Sequence, residues 1–274
     1  MFDYHIHTKY SGDIPEGKGS TVDELCVAAL SRGFTEIAIT DHYDVDGIYY
    51  GAFPNLDIES VFREVMAARE KYADKLSVLF GLEIGQAIHM PLEAKRYIDR
   101  FPFDYILGSV HSIRGIIDIS FLDINNMKDE ELLLLFKTYI AEMKELVEWG
   151  NFESLAHITY PYRYLKLAGR EHLLDLENKG REIFEPILKR IIQKGISLEV
   201  NTSGLWQGLG QTMPSDDLIR FYRQLGGEMI TVGSDAHNER NLGMNIKETI
   251  DNLREIGFTN ITRYKNRKPF MEKI

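Results

Sequence analysis

Short apolar segments alternate with longer segments of helical periodicity along the whole chain, and this alternation constrains the fold more than any other feature. The short segments are rich in β-branched residues, and the longer ones repeat their apolar residues with a helical period. Such alternation predicts βα units around a parallel sheet. The predicted strands are residues 2–7, 36–40, 77–83, 105–111, 154–157, 197–201 and 229–233. The predicted helices are residues 22–32, 58–72, 92–100, 129–149, 171–194, 215–225 and 246–256.

Residues at the ends of these helices agree with the assignment. Thr21 and Glu24 have the spacing of a capping box, and Gly150 and Gly195 follow predicted helices. No Pro-rich or Gly/Ser-rich linker divides the 274 residues, so we predict one domain. Seven successive βα units favour an α/β barrel, regular or distorted, with an open doubly wound sheet as the alternative.

Composition restricts the partners of the chain. Its formal net charge of −10 and its pI of about 5.4 weigh against nucleic acid as a partner, whereas a small phosphorylated metabolite stays compatible because metal ions can supply positive charge. No apolar stretch is long enough to span a membrane, and the N-terminus lacks signal-peptide features. A single cysteine, Cys26, excludes an internal disulfide and is expected to be buried. We therefore expect a cytoplasmic protein with neither a membrane nor a nucleic-acid partner; the sequence does not specify an oligomeric state.

Six of the eight histidines lie at or just beyond the carboxyl end of a predicted strand. They are His5, His7, His42, His111, His157 and His237, and Glu83 and Asp235 occupy equivalent positions. In a barrel these ends form one rim, where the active sites of this architecture are found.

A single histidine at a strand end is more often a hydrogen-bonded structural residue than a metal ligand. Here, however, the arrangement recurs at five of the seven strands. His5 and His7, two apart on a strand, point to the same side and can reach one ion. Imidazole and carboxylate ligands suit Zn²⁺, Mn²⁺ or Fe²⁺, and the absence of thiolates argues against a structural zinc site.

The order of these motifs resembles that of the polymerase and histidinol phosphatase (PHP) family, and the resemblance covers nearly the whole chain. The matching segments are His5-Ile6-His7-Thr8 with Ser11-Gly12-Asp13, Thr40-Asp41-His42, Gly81-Leu82-Glu83, Gly108-Ser109-Val110-His111, Ala156-His157, Leu198-Glu199-Val200-Asn201 and Ser234-Asp235-Ala236-His237. The length of the chain and the absence of a polymerase module resemble the stand-alone histidinol-phosphatase branch of the family.

The resemblance implies a distorted (β/α)7 TIM-like barrel, a single PHP metallophosphatase domain over residues 1–274, that holds two to three divalent metal ions (Zn, Mn or Fe). It assigns His5, His7, Glu83 and Asp235 to the first ion, Glu83, His111 and His157 to the second, and Asp13, His42 and His237 to the third. Relatives carry either histidine or aspartate at the position of Asp13.

The resemblance also implies a reaction, the hydrolysis of L-histidinol phosphate to L-histidinol and phosphate in histidine biosynthesis. A hydroxide bridging two metal ions would attack phosphorus, and Asp235 or His237 or the third ion would assist the leaving group. One alternative is a related phosphoesterase acting on phosphotyrosine or nucleotide phosphates. Another is a metal-binding regulatory or structural domain without turnover.

Arg163 is the preferred candidate for binding the substrate phosphate, with Arg114 and Lys9 as rivals. It lies in the aromatic segment of residues 160–164, which follows His157, and one of the tyrosines is expected to flank an imidazole. The alternative for this segment is an ordinary Pro-containing loop that packs on the barrel.

Four further residues are assigned from their positions. Asn201 is expected to bind the substrate in preference to Glu199, on the reasoning that only one of the two can point into the rim. Asp41 could orient a ligand or cap a turn. His89 and His172 are predicted to be surface residues.

Overall fold

A computed structural model describes residues 1–15, 17–47, 56–173 and 180–274 of the chain. Its strands are β1 (Phe2–Ile6), β2 (Glu36–Ile39), β3 (His42–Asp44), β4 (Ser77–Gly85), β5 (Tyr105–Ser109), β6 (Ser154–Leu155), β7 (Ser197–Asn201), β8 (Ile230–Gly233), β9 (Asn260–Lys265) and β10 (Lys268–Lys273). Its helices are α1 (Val22–Ser31), α2 (Ile58–Tyr72), α3 (Pro91–Ile98), α4 (Asp129–Trp149), α5 (Tyr160–Leu167), α6 (Gly180–Lys194), α7 (Ser203–Trp206), α8 (Asp216–Gln224) and α9 (Ile246–Ile256).

Seven parallel strands form a nearly closed barrel, in the order β1-β2-β4-β5-β6-β7-β8, and the short β3 pairs with the second half of β4. The seam lies between β8 and β1. It is joined where Asp235 N donates to His5 O at 2.8 Å and His7 N donates to Ala236 O at 2.8 Å. The predicted barrel is therefore confirmed, and the alternative of an open sheet is wrong.

Helices surround the barrel, and their apolar faces pack on the outside of the strands in one continuous core. Inside the barrel, a smaller cluster that includes Tyr4, Tyr105 and Leu107 fills the amino-terminal half. Tyr264 of the antiparallel β9–β10 hairpin packs against this cluster from below. This hairpin was not among the predicted elements, and it closes the barrel end opposite the carboxyl ends of the strands.

Several predicted boundaries need correction. The strands predicted at 105–111 and 154–157 end at Ser109 and Leu155, so His111 and His157 lie in the loops beyond them. The segment 160–164 forms the first part of a helix, not a loop. Of the helix predicted at 171–194, the structure describes Gly180–Lys194 as α-helix and Glu171–Leu173 as a 3-10 turn, and residues 174–179 lie outside the described residues.

Local predictions about helix ends and burial are confirmed. Thr21 and Glu24 form a reciprocal capping box at the start of α1, and Gly150 ends α4 with a positive φ of 61°. Cys26 is a buried free thiol. Within the described ranges, we find no helix whose length and apolar content would let it cross a membrane.

Candidate metal centre

The carboxyl ends of the barrel strands bring all nine predicted metal-ligand residues into one cluster, six of them buried and three partly exposed. Its members are His5, His7, Asp13, His42, Glu83, His111, His157, Asp235 and His237. The pairing of β3 with β4 sets His42 directly opposite Glu83, a neighbour relation that the sequence analysis did not anticipate.

Glu83 lies at the centre of the cluster and is fully buried. Its Oε1 is 2.9 Å from His157 Nε2 and 3.0 Å from His111 Nε2, and its Oε2 is 3.0 Å from both His5 Nε2 and His42 Nδ1. Burial alone would raise the pKa of this carboxyl, but the charges of His42, His5 and His111 outweigh burial and hold the pKa well below its usual value. Glu83 is therefore an ionised carboxylate that can bind on both of its oxygens.

A second group of donors surrounds Asp235, which follows β8. Its Oδ1 lies 3.3 Å from His7 Nε2 and 3.7 Å from His5 Nε2. Burial opposes ionisation, but His5 and His7 keep the pKa of Asp235 well below its ordinary value. His7 Nε2 is buried and makes no hydrogen bond to any described residue, which is costly unless another partner binds it.

A third group lies nearest the solvent. Asp13 Oδ2 is 2.7 Å from His237 Nε2 and 3.8 Å from His42 Nε2. The ring of His7 stacks on those of His42 and His237, with centroids 4.2 and 4.3 Å apart. Three imidazoles and a carboxylate thus converge on this region.

The outward-facing nitrogens of three histidines already have acceptors. His5 Nδ1 donates to Glu199 Oε1 at 2.6 Å, His111 Nδ1 to Asp44 Oδ1 at 3.1 Å, and His237 Nδ1 to the Asp235 carbonyl at 2.9 Å. Each such bond directs Nε2 toward the cluster, where a metal ion would take the place of the proton that Nε2 shares with a carboxylate. This is the ring orientation in which imidazole binds a metal, and the donor set fits divalent metal ions.

Glu199 and Asn201 both face this site, so the expectation that only one of them could do so is wrong. Residues two apart on a strand share a face, and this rule already predicted the actual arrangement. Glu199 Oε2 accepts a bond of 2.9 Å from His157 N. Asn201 Nδ2 donates to Glu199 and to Asp235, at 3.3 Å each. Asn201 thus contacts Asp235, a predicted metal ligand, and it is not among the described residues that line the cavity above.

Asp41 anchors the backbone that follows His7. Its two oxygens accept bonds from Thr8 N at 2.5 Å and Thr8 Oγ1 at 2.8 Å. Of the two predicted roles, capping the turn after β1 is the one that these contacts support. The same contacts hold the His5-Ile6-His7 segment in place.

A cavity of about 330 Å³ opens above the cluster. Arg163 of α5 lines it and is largely buried, and its guanidinium donates to Gln207 Oε1 and to Tyr164 OH. Among the described residues, no carboxylate forms an ion pair with Arg163. As predicted, a tyrosine flanks the imidazoles: the ring centroid of Tyr160 lies 5.3 Å from those of His111 and His157.

The other two candidates for binding phosphate, Arg114 and Lys9, do not line the cavity. Arg114 is paired with Glu142 and Glu145, at 3.4 and 2.7 Å. Lys9 lies 3.6 Å from Glu64, away from the described cavity lining. Of the three predicted phosphate-binding cations, Arg163 alone lines the cavity.

Two carboxylates on the cavity wall were missed by the sequence analysis. Asp44 Oδ1 binds His111, while its Oδ2 is buried without a hydrogen bond to any described residue. Asp118 accepts bonds from Tyr160 OH at 3.0 Å and Ser120 N at 2.7 Å. Neither residue lies directly at the end of a predicted strand, so no sequence pattern connected them to the site.

The two remaining histidines differ in position. His172 is exposed, as predicted, with 61% of its side chain accessible. His89, however, is buried between Asp46 and Glu142, so its prediction as a surface residue is wrong.

Comparison with known proteins places this site in a family. Residues 3–203 match the PHP domain model. The chain is 29% identical to histidinol-phosphatase of Lactococcus lactis, over 97% of this chain and 95% of that protein, and 30% identical to a probable histidinol-phosphatase of Clostridium acetobutylicum, over 91% of each. A crystal structure of the Lactococcus lactis histidinol phosphate phosphatase, complexed with zinc, L-histidinol and phosphate, superimposes with a TM-score of 0.79 at 25% identity and covers 98% of both chains. The chain belongs to the PHP domain family.

Proposed function

We propose that this protein is a divalent-metal-dependent phosphatase that hydrolyses L-histidinol phosphate to L-histidinol and phosphate in histidine biosynthesis, and that residues 1–274 act as one phosphatase domain. The observation that carries the proposal is the cluster of six histidines around Glu83 and Asp235, beside a cavity with a buried arginine. The Lactococcus lactis structure, with zinc and both reaction products bound, supports the same reaction.

The proposed metal ligands form three groups. His5, His7, Glu83 and Asp235 would hold one ion, Glu83, His111 and His157 a second, and Asp13, His42 and His237 a third. Zinc is the metal in the similar structure, and manganese or iron suits the same donors.

Divalent metal ions held at these groups would lower the pKa of a bound water and stabilise charge on the phosphoryl group. The chain itself supplies the rest of the site. Arg163 would contact two phosphoryl oxygens from the cavity wall. Asp235 and His237 line the same cavity, and either would take up the proton of the attacking water and return it to the leaving oxygen.

The carboxylates of the cavity wall favour a substrate with a cationic end. Asp44 and Asp118 lie beside His111 and line the cavity, and Asp44 has an oxygen without a hydrogen bond to any described residue. The ammonium group of histidinol phosphate would neutralise these charges, whereas a second anionic group would be repelled.

Metal analysis tests the first part of the proposal. The purified protein should carry about two to three divalent ions per chain, as in other multi-metal phosphatases. Glu83→Ala should lower both metal content and activity more than any other single ligand substitution, because Glu83 contacts four histidines. Wild-type protein without metal that gains no activity with Zn²⁺ or Mn²⁺ would refute the assignment.

A phosphate-release assay tests the substrate. We expect kcat/KM for histidinol phosphate to exceed that for p-nitrophenyl phosphate and for a phosphotyrosine peptide by at least roughly tenfold, since discrimination by one charged contact is worth about 1.5–3 kcal/mol. Equal values across the panel would leave the phosphatase chemistry intact and reject histidinol phosphate as the preferred substrate.

A further inference from the structure

His89 is enclosed by two carboxylates on the outer side of the metal centre. Its Nδ1 lies 2.5 Å from Asp46 Oδ2, and its Nε2 lies 2.6 Å from Glu142 Oε2. All three side chains are at least nine-tenths buried. Because both ring nitrogens face carboxylates, the arrangement is satisfied only by the doubly protonated imidazolium. Burial lowers the pKa of His89, but Asp46 and Glu142 outweigh burial and raise the pKa to about 9.

This ion cluster connects to the metal centre through one side chain. Gln86 Nε2 lies 3.4 Å from Asp46 Oδ1, and Gln86 Oε1 accepts a bond of 3.0 Å from the backbone N–H of His111. The two contacts fix the orientation of the amide, since the oxygen must face the His111 N–H and the nitrogen must face Asp46. The described contacts therefore lead from His89 through Asp46 and Gln86 to His111.

The backbone at Gln86 supports a specific role for its side chain. Gln86 has a φ of 48°, in the left-handed region that glycine or asparagine usually occupies. A long side chain in this conformation is unfavourable, and such residues concentrate at sites where the surroundings require the geometry. Here the conformation turns the amide toward the loop after β5, where His111 lies.

We propose that His89, Asp46 and Gln86 form a positioning relay, a chain of contacts that holds the backbone of His111 in place. By fixing His111, the relay helps the protein to retain the metal ion that His111 binds. The inference rests on the proposed function, because it takes His111 as a metal ligand. None of the three residues touches the reacting atoms. They act on His111 from outside, as Asp44 acts on its ring.

Zinc release from the loaded enzyme tests the relay. Wild type, Gln86→Met, His89→Gln and His89→Asn, each loaded with Zn²⁺, would be equilibrated against increasing chelator concentration, with retained zinc measured per chain. Gln86→Met keeps the length of the side chain but removes the acceptor for His111, so one zinc ion per chain should bind about 10- to 100-fold more weakly.

The two His89 variants distinguish a relay from general destabilisation. An asparagine amide nitrogen occupies the position of Nδ1 and still donates to Asp46, whereas a glutamine amide reaches only toward Glu142. The relay predicts that His89→Asn retains zinc close to the wild-type level and that His89→Gln resembles Gln86→Met. Equal zinc loss in both His89 variants would reject the connection through Asp46.

Glu153→Gln is the matched control, because it removes a buried carboxylate from its ion pair with Arg267 at the opposite end of the barrel. It should change the unfolding temperature without changing zinc affinity. Wild-type zinc affinity in Gln86→Met would overturn the relay even if the His89 variants failed to fold. A wild-type protein that binds no zinc would instead refute the proposed function, so the two failures are distinguishable.

Discussion

Arg163 is a buried cation without an ion-paired carboxylate among the described residues, and such a charge is stabilised when an anion enters the cavity. Its guanidinium is held by Gln207 and Tyr164 and lies 5.2 Å from the centroid of the Tyr160 ring. These contacts hold the guanidinium group in place before an anion arrives, so little side-chain conformational entropy is lost when the anion binds.

We therefore expect Arg163→Met to lower kcat/KM for histidinol phosphate by roughly ten- to a hundredfold, because hydrogen bonds to charged groups contribute about 1.5–3 kcal/mol each. Zinc content should not change. Arg163→Lys should recover only part of the loss, since an ammonium cannot make the bidentate contact. Steady-state kinetics measures the effect. Arg114→Met is the control, because Arg114 is already paired with Glu142 and Glu145; a larger loss in that variant would place the phosphate anchor in the loop after β5.

At the scale of single elements, the close approach of β3 to β4 decides how the ligands meet. The register pairs His42 with Glu83 and Asp44 with Gly85. A methyl group on Gly85 would lie 1.5 Å from Asp44 Oδ1, a distance that no packing tolerates. The glycine thus makes room for the carboxylate that orients His111.

Gly85→Ala should destabilise the fold by about 1–3 kcal/mol, as overpacking does in buried sites, and weaken zinc binding because Asp44 must move away from His111. The same substitution in an Asp44→Ala background should cost much less, since the clash with the carboxylate is gone and the methyl group would lie 3.2 Å from His111 Nδ1. Chemical denaturation of the four proteins of this cycle measures the coupling. If the two substitutions changed the free energy of unfolding additively, a clash between the added methyl group and Asp44 would be contradicted.

At the scale of the whole molecule, the two ends of the barrel have different roles. Ligands and cavity occupy the carboxyl ends of the strands, while the β9–β10 hairpin closes the other end. There Arg263 pairs with Glu36 at 2.5 Å and Arg267 pairs with Glu153 at 2.8 Å. This separation allows the stability of the barrel to be changed without direct contact with the metal centre.

Glu153 makes the stability of the closed end pH-dependent. Burial raises its pKa from 4.5 to about 7, although Arg267 opposes the shift. Between these values the folded state holds a proton that the unfolded state releases, so this group lowers the free energy of unfolding as pH rises from about 4.5 to about 7.

The Glu153→Gln variant has no carboxyl group at this position, so this protonation step is absent. Its free energy of unfolding, relative to wild type, should rise by roughly 2–3 kcal/mol across that pH window and stay constant above it, since one pKa unit corresponds to about 1.4 kcal/mol. Urea denaturation of both proteins at a series of pH values provides the measurement. A difference that does not vary with pH would mean that Arg267 keeps Glu153 ionised throughout.

The sequence by itself determined the barrel and the clustering of the predicted metal ligands. Hydrophobic periodicity located the strands, and in a barrel of parallel strands every carboxyl end reaches the same rim. Residues at those ends, such as His5, Glu83 and Asp235, therefore had to meet, whatever the details of packing. Even the location of Glu199 and Asn201 on one face of the sheet could be predicted, because side chains along a strand repeat with a period of two residues.

Only the tertiary structure decided the features that depend on contacts between distant loops. The sequence favoured Arg163 over Arg114 and Lys9 as the phosphate-binding residue, but the carboxylates that lie beside Arg114 and Lys9 are known only after folding. His89 is similar, because Asp46 and Glu142 reach it from separate parts of the chain. Local periodicity reports which face of an element is buried, but the pairing of charges between loops follows from the closure of the barrel, which no local pattern encodes.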